Sequence, residues 1–169
     1  MARQVKVITA AEAAALIKNG DTVTTSGFVA SAIPEALDRA VEERFLATGE
    51  PRDITYVYCG SQGNKDGRGA EHFAHEGLLK RYIAGHWATV PALQKMALEN
   101  KMEAYNVSQG ALCHLFRDIA AHRPGCFTKV GLGTFIDPRN GGGKVNDVTK
   151  EDIIELVNIK GQDYLFYPA

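Results

Sequence analysis

Apolar and polar positions along the chain follow two different periods, one typical of strands and one typical of helices. The predicted strands are short β-branched or aromatic runs bounded by turn residues, at 22–26, 54–59, 103–107, 127–130, 153–159 and 164–167. The predicted helices carry a capping signal, an early proline or an apolar stripe. They are a capping box at 9–12 that continues as helix over 13–17, then 35–46, 91–99 and 110–122. This alternation predicts an α/β fold, a mainly parallel sheet with helices on both faces.

Glycine-rich segments follow several of the predicted strands. Residues 60–69 predict a long mobile loop, and residues 131–144 are too poor in apolar side chains to form a packed element. In parallel sheets ligands collect at the carboxyl ends of strands. Neither segment carries a dinucleotide or P-loop pattern. Glycine at 131–135 therefore indicates a backbone that closely approaches a ligand or another strand, or else a plain surface loop.

Composition and charge narrow the function classes. The 169 residues are 45% apolar, enough for one α/β domain over 1–169. Nineteen basic and twenty acidic residues give a net charge of −1, which offers no general field for nucleic acid. No apolar run is long enough to span a membrane, and Glu12 interrupts the first apolar stretch, unlike a secretory signal. Three widely spaced cysteines, Cys59, Cys113 and Cys126, predict reduced thiols in the cytoplasm.

Several motifs that suggest chemistry have plainer interpretations. Residues 71–76 (EHFAHE) place two histidines three positions apart, whereas the helical zinc motif needs a spacing of four. We therefore predict no metal site there, only a polar and partly exposed entry to a helix. The serines lie outside a nucleophile elbow. Cys113 lies at the flank of a predicted helix, where we expect a packed thiol rather than a reactive one.

Gln109 lies between a strand that ends at Val107 and a helix that begins at Gly110. Its amide would therefore stand at the carboxyl end of a strand, beside unpaired helix N–H groups, which suits an anion or an oxyanion. The alternative is that Ser108 or Gln109 only caps the helix.

Four segments in the same order along nearly the whole chain resemble the first half of family I coenzyme A transferases. They are 26–28 leading to 33–35, 82–86, 108–110, and 131–139 with the glycines 141–143. The resemblance is strongest to the short-chain acyl type, which acts on acetate or propionate, and weaker to succinyl-CoA:3-ketoacid transferases. It implies the fold of an α-subunit, and that residues 1–169 are the N-terminal domain of a longer two-domain enzyme with an uncovered sheet edge after 164–167.

The resemblance also implies a reaction. In the family, coenzyme A passes from a short-chain acyl-CoA to a carboxylate such as acetate by ping-pong chemistry through a glutamyl-CoA thioester. Gln109 corresponds to the oxyanion donor. The residues implied to bind substrate are Gly27, Phe28, Gly85, His86, Gly110, Gly131 and Gly133.

The nucleophilic glutamate of the family lies in the second half, so the resemblance implies that no glutamate of this chain is the nucleophile. The chain alone is therefore expected to be inactive. Its expected partners are the C-terminal, β-subunit-like half and further copies in a homo-oligomer such as a tetramer, with coenzyme A as substrate and no tightly bound cofactor. Two alternatives stay open: a non-catalytic module for coenzyme A or another phosphate-bearing ligand, and a sugar-phosphate isomerase of related fold.

Overall fold

A computed structural model describes residues 5–169. The α-helices are α1 (Ala10–Ala14), α2 (Glu35–Thr48), α3 (Pro91–Leu98) and α4 (Gln109–Ala120), and two 3-10 helices span Gly69–Phe73 and Pro138–Asn140. The strands are β1 (Thr22–Val23), β2 (Ile54–Tyr58), β3 (Leu79–Ala84), β4 (Glu103–Asn106), β5 (Gly125–Thr128), β6 (Glu155–Ile159) and β7 (Gln162–Pro168). Across this part of the chain, no helix is long and apolar enough to cross a bilayer.

Strands β1 to β4 form a parallel sheet in chain order, which confirms the predicted α/β fold. Strand β3 was not among the predicted strands, because Lys80 and Arg81 interrupt its apolar run. Its polar side chains have partners that the local pattern cannot show. Arg81 donates hydrogen bonds to Glu103 of β4 and to Glu151, far along the chain.

Helices cover both faces of this sheet, as predicted. On one face Ile54, Tyr56 and Tyr82 are fully buried in a core shared with α1, α2 and α3. On the other face Val57 and Ile83 pack against a second core to which α4 contributes Ala111, Leu112 and Leu115. The alternation of side chains along β2 therefore separates two cores.

The remaining strands form a second, antiparallel sheet in the order β5-β7-β6. The sheet structure is thus less uniformly parallel than the sequence predicted. The uncovered sheet edge expected after 164–167 is wrong, because β7 pairs with a strand on each side. Strands β6 and β7 confirm the two predicted C-terminal strands and form a hairpin whose two turn residues, Lys160 and Gly161, both have positive φ (52° and 82°). This is the turn geometry that matches the twist of the flanking strands.

Several predicted boundaries and exposures are wrong. Helix α1 has its predicted capping box at Thr9 but ends at Ala14, and β1 ends at Val23. The apolar stripe predicted for α4 is buried only over its first two turns, since Ile119 is 45% exposed. Cys113, expected to be packed, is exposed because it lies beside that stripe rather than on it.

Candidate functional site

The carboxyl ends of β2, β3 and β4 meet at one edge of the parallel sheet, and Gln109 lies there as the first residue of α4. Ser108 is the N-cap residue, and its side chain accepts a hydrogen bond from the Ala111 N–H at 3.3 Å. The sequence allowed either Ser108 or Gln109 to cap the helix, and in the structure the cap is Ser108. The side chain of Gln109 is exposed at the edge of the sheet.

Gly85, immediately after β3, allows the start of α4 to lie against the end of that strand. A Cβ atom at position 85 would lie 2.4 Å from the carbonyl oxygen of Cys59 and 2.7 Å from both Cα and Cβ of Gln109. The φ of Gly85 is not in the left-handed region, so the requirement for glycine is one of space. Gly85, named in the sequence analysis only as an implied substrate-binding residue, thus lies beside Gln109; its role in binding stays a prediction.

Phe28 approaches the same edge of the sheet. A Cβ atom at Gly60 would lie 3.3 Å from Cε2 of the Phe28 ring and 3.6 Å from Nε2 of Gln109, so ring and amide stand over the same glycine. Phe28 is 57% exposed. Gly27 supplies the turn before it, with φ +113° and no room for a Cβ, which would lie 2.8 Å from the carbonyl oxygen of Ala32. Sequence reasoning missed Gly60, although it directly follows the end of the clearest strand.

The loop after β2 is packed, and the prediction of a mobile segment is wrong for its first part. The Val29 N–H donates to the carbonyl of Ser61 at 2.9 Å, which joins the Phe28 segment to this loop. Gln62 is fully buried. Its Oε1 accepts from the hydroxyl of Tyr56 at 2.7 Å, and its Nε2 donates to the carbonyl of Ser26. Gln62 therefore fixes the loops that position Phe28 and Gly60.

The triple glycine reaches the end of β4 from the other side. The Asn106 N–H donates to the carbonyl of Gly143 at 2.8 Å, and a Cβ atom at Gly143 would lie 2.8 Å from Cγ1 of Val107. The glycine segment thus passes against the residues that immediately precede Ser108 and Gln109.

The remaining predicted site residues have different surroundings; they are His86, Gly110, Gly131 and Gly133. His86 is exposed directly after Gly85, and Gly110 is exposed, with nothing within 4 Å of the place that a Cβ atom would take. Gly131 and Gly133 adopt φ of 97° and 75°. A Cβ at Gly131 would lie 3.2 Å from Cδ1 of Leu165 on β7, so this backbone approaches another strand, one of the alternatives left open.

Comparison with known proteins assigns the architecture to a family. The family model described as Coenzyme A transferase matches residues 7–169. This chain belongs to the coenzyme A transferase family. The predicted resemblance is therefore confirmed, although the roles of individual residues in the site stay predictions.

Similar members of the coenzyme A transferase family are longer than this chain. Caffeate CoA-transferase of Acetobacterium woodii is 41% identical over 164 residues, 97% of this chain and 31% of that protein. Acetate CoA-transferase YdiF of Escherichia coli K12 is 39% identical over 168 residues, 98% of this chain and 32% of that protein. The solved thioester complex with CoA of the acyl-CoA transferase YdiF from E. coli O157:H7 superposes with a TM-score of 0.88 and 38% identity, covering 96% of this chain and 32% of that one. The chain spans about a third of these relatives.

Residues 71–73 of this coenzyme A transferase chain are buried, contrary to the predicted partly exposed entry. Nδ1 of His72 lies 2.6 Å from Glu42 and Nε2 lies 3.0 Å from Glu35, while Nε2 of His75 lies 2.6 Å from Glu42. Burial opposes a charge on His72, but the bonds to both carboxylates outweigh it and raise the pKa of His72. In residues 5–169 no group of three acidic, histidine or cysteine side chains could hold a metal ion. The cluster is an ion-pair network that joins α2 to the first 3-10 helix.

Asp137 organises the turn that contains Gly131 and Gly133. It accepts from the Gly133 N–H at 2.9 Å and from two guanidinium nitrogens of Arg139 at 2.9 and 2.6 Å. The hydrogen bonds from Arg139 hold the pKa of Asp137 well below its usual range. These hydrogen bonds account for the conformation of the turn, so a bound ligand is not needed to explain it.

Proposed function

We propose that this chain is the N-terminal, α-subunit-like part of an enzyme that transfers coenzyme A between a short-chain acyl-CoA and a carboxylate such as acetate. One observation carries the proposal: the exposed Gln109 amide begins α4 at the point where three parallel strands end and Phe28, Gly60 and Gly85 converge. The similarity to acetate CoA-transferase YdiF supports the choice of acetate and other short acids as substrates.

Acyl transfer of this kind passes through tetrahedral species in which the former carbonyl oxygen carries negative charge. We assign the Nε2–H of Gln109 as a donor to that oxygen. Its place in the first turn of α4 adds the partial positive charge of the helix N-terminus. A fixed donor of this kind is typically worth about 3 kcal/mol in the transition state. Phe28 lies on the same side of Gly60 as the amide and would cover the acyl group.

The nucleophile of the proposed reaction is a glutamate outside this chain. Its carboxylate attacks the thioester carbonyl of the acyl-CoA, the C–S bond breaks, and an acyl-glutamyl anhydride and the CoA thiolate form. The thiolate then attacks the glutamyl carbonyl and releases the first carboxylate, which leaves a glutamyl-CoA thioester. The same two steps in reverse, with the accepting acid, complete the transfer. The thioester complex solved for the YdiF relative supports such an intermediate.

Partners follow from the same proposal. We infer that the chain acts with a β-subunit-like half that provides the glutamate, within a homo-oligomer, and that coenzyme A binds as a substrate rather than as a resident cofactor. The lengths of the relatives, about three times that of this chain, support the first of these inferences. The three free thiols support a cytoplasmic location.

The test is reconstitution. The chain is co-expressed with a polypeptide that corresponds to the remaining two thirds of YdiF, and transfer from acetyl-CoA to propionate is followed by the appearance of propionyl-CoA. We expect transfer from the mixture and none from either part. Tight binding of CoA by the isolated chain, together with an inactive but assembled mixture, would contradict the proposal and favour a non-catalytic binding module.

A further inference from the structure

Two of the three cysteines, Cys59 and Cys113, lie where the end of β2 meets the first turns of α4. Cys59 directly follows β2 and packs against both cores. Tyr58 lies in the core shared with α1 to α3, whereas Cys59 also packs against the core to which α4 contributes. Cys113 lies one helical turn after Gln109 on α4.

The backbone brings this strand end and this helix together independently of the thiols. The missing Cβ of Gly85 would touch both the carbonyl oxygen of Cys59, at 2.4 Å, and Cα of Gln109, at 2.7 Å. The two backbone segments therefore lie on either side of a single glycine. The Cys113 thiol is near enough to that of Cys59 to contribute to the raised pKa of Cys59.

The two thiols differ in accessibility, and that difference assigns their order of reaction. Cys113 is exposed, so an oxidant in solution reaches it first. Cys59 is half-buried, and burial together with the neighbouring Cys113 thiol raises the pKa of Cys59. Such a thiol is a slow first target but is well placed to react with an oxidised neighbour. Cys126 is buried in the second core.

We propose that Cys59 and Cys113 form a redox modification site, at which hydrogen peroxide converts the two thiols into an intrachain disulfide. The Cys113 thiolate attacks one peroxide oxygen, the O–O bond breaks, and the departing hydroxide takes up the thiol proton to form water. Cys59 as thiolate then attacks the sulfur of the Cys113 sulfenic acid, the S–O bond breaks, and a second water leaves. In total two thiols and one peroxide give one disulfide and two waters.

The disulfide would tie the end of β2 to the first turns of α4. Gln109 stands one turn before Cys113, and Gly60 directly follows Cys59, so both elements of the candidate site are attached to the linked segments. Disulfide formation itself needs no partner subunit and no substrate. The inference therefore stands or fails separately from the proposed transfer of coenzyme A.

The test uses the full chain, treated with hydrogen peroxide, quenched, and digested with trypsin without reduction. Cys59, Cys113 and Cys126 fall in separate tryptic peptides, 53–65, 102–117 and 118–129. We expect the first two peptides to be joined, the intact mass to fall by about 2 Da, and dithiothreitol to restore both thiols. Cys126→Ser is the matched control and should still form the disulfide, whereas Cys113→Ser should not.

Three results would overturn the inference. Both thiols could survive peroxide treatment, Cys113 could accumulate as sulfinic acid without joining the 53–65 peptide, or Cys113 could link only two separate chains. The peptide map of the wild-type chain distinguishes these results by itself. It does so even where a cysteine substitution prevents folding.

Discussion

Gly85→Ala tests how the structure positions Gln109. The new methyl carbon would lie 2.4 Å from the carbonyl oxygen of Cys59 and 2.7 Å from Cα of Gln109. Unstrained contacts of carbon with other heavy atoms are near 3.5 Å, so the overlap is about 1 Å at two backbone positions. Neither atom is the flexible end of a side chain, and the end of β3 or the start of α4 must therefore move. Overpacking of this kind costs about 1–3 kcal/mol of unfolding free energy.

Gly110→Ala is the matched control, because position 110 belongs to the same helix start and nothing lies within 4 Å of the added Cβ. Alanine in a helix reduces the entropy of the unfolded chain, so this variant should be more stable by about 0.5–1 kcal/mol. Both are measured by urea unfolding followed by circular dichroism.

The two glycine variants should therefore shift the unfolding midpoint in opposite directions. A Gly85→Ala variant with the wild-type midpoint would refute the packing on which the position of Gln109 depends. Equal losses of stability in both variants would show that any methyl group added near the start of α4 destabilises the fold. The close contact of Gly85 would then not be the cause.

The remaining predictions concern pH. Asp38 is buried, its Oδ2 has no hydrogen-bond partner among residues 5–169, and burial raises its pKa to about 7. The folded state thus prefers the neutral acid, and this group removes stability as pH rises from about 4 to about 7. Asp38→Asn should match the wild type near pH 4 and exceed it at pH 8 by up to about 4 kcal/mol; equal urea midpoints at pH 8 would contradict this. His72 has a raised pKa, so its contribution is complete below about pH 6.5 and is lost as pH rises through the folded pKa. His72→Gln should lack that loss, and an unchanged alkaline slope would argue against the charged imidazole.

The sequence predicted a strand or helix correctly where the residues within that element determine its structure. The alternation of residues in β2, and the apolar runs on either side of the turn residues 160–163, predicted β2 and the two C-terminal strands to within a few residues. Strand β3 was missed because Lys80 and Arg81 break its pattern, and the partners of Arg81 lie 22 and 70 positions away. A strand whose charged residues pair with distant parts of the chain cannot be distinguished from a loop by its local sequence.

The candidate site likewise combines residues that local sequence predicts with residues whose contacts lie on distant segments. Gln109 was predictable because a strand end and a helix start adjoin it in sequence. Gly60 and Gln62 were not, since their contacts are with Phe28, Tyr56 and Ser26 on other segments. The burial of His72 likewise depends on two glutamates of α2, 30 and 37 positions earlier.

We propose that the Gln109 amide stabilises the oxyanion of acyl transfer. The most direct measurement is kcat for transfer from acetyl-CoA to propionate in the reconstituted enzyme, with Gln109 as wild type, as Ala and as Glu. Glu keeps the size of the side chain but replaces the donor with an acceptor. We expect both variants to assemble and to lose about 10²–10³-fold in kcat, with KM for acetyl-CoA little changed. Assembled variants with the kcat of the wild type would contradict the proposal.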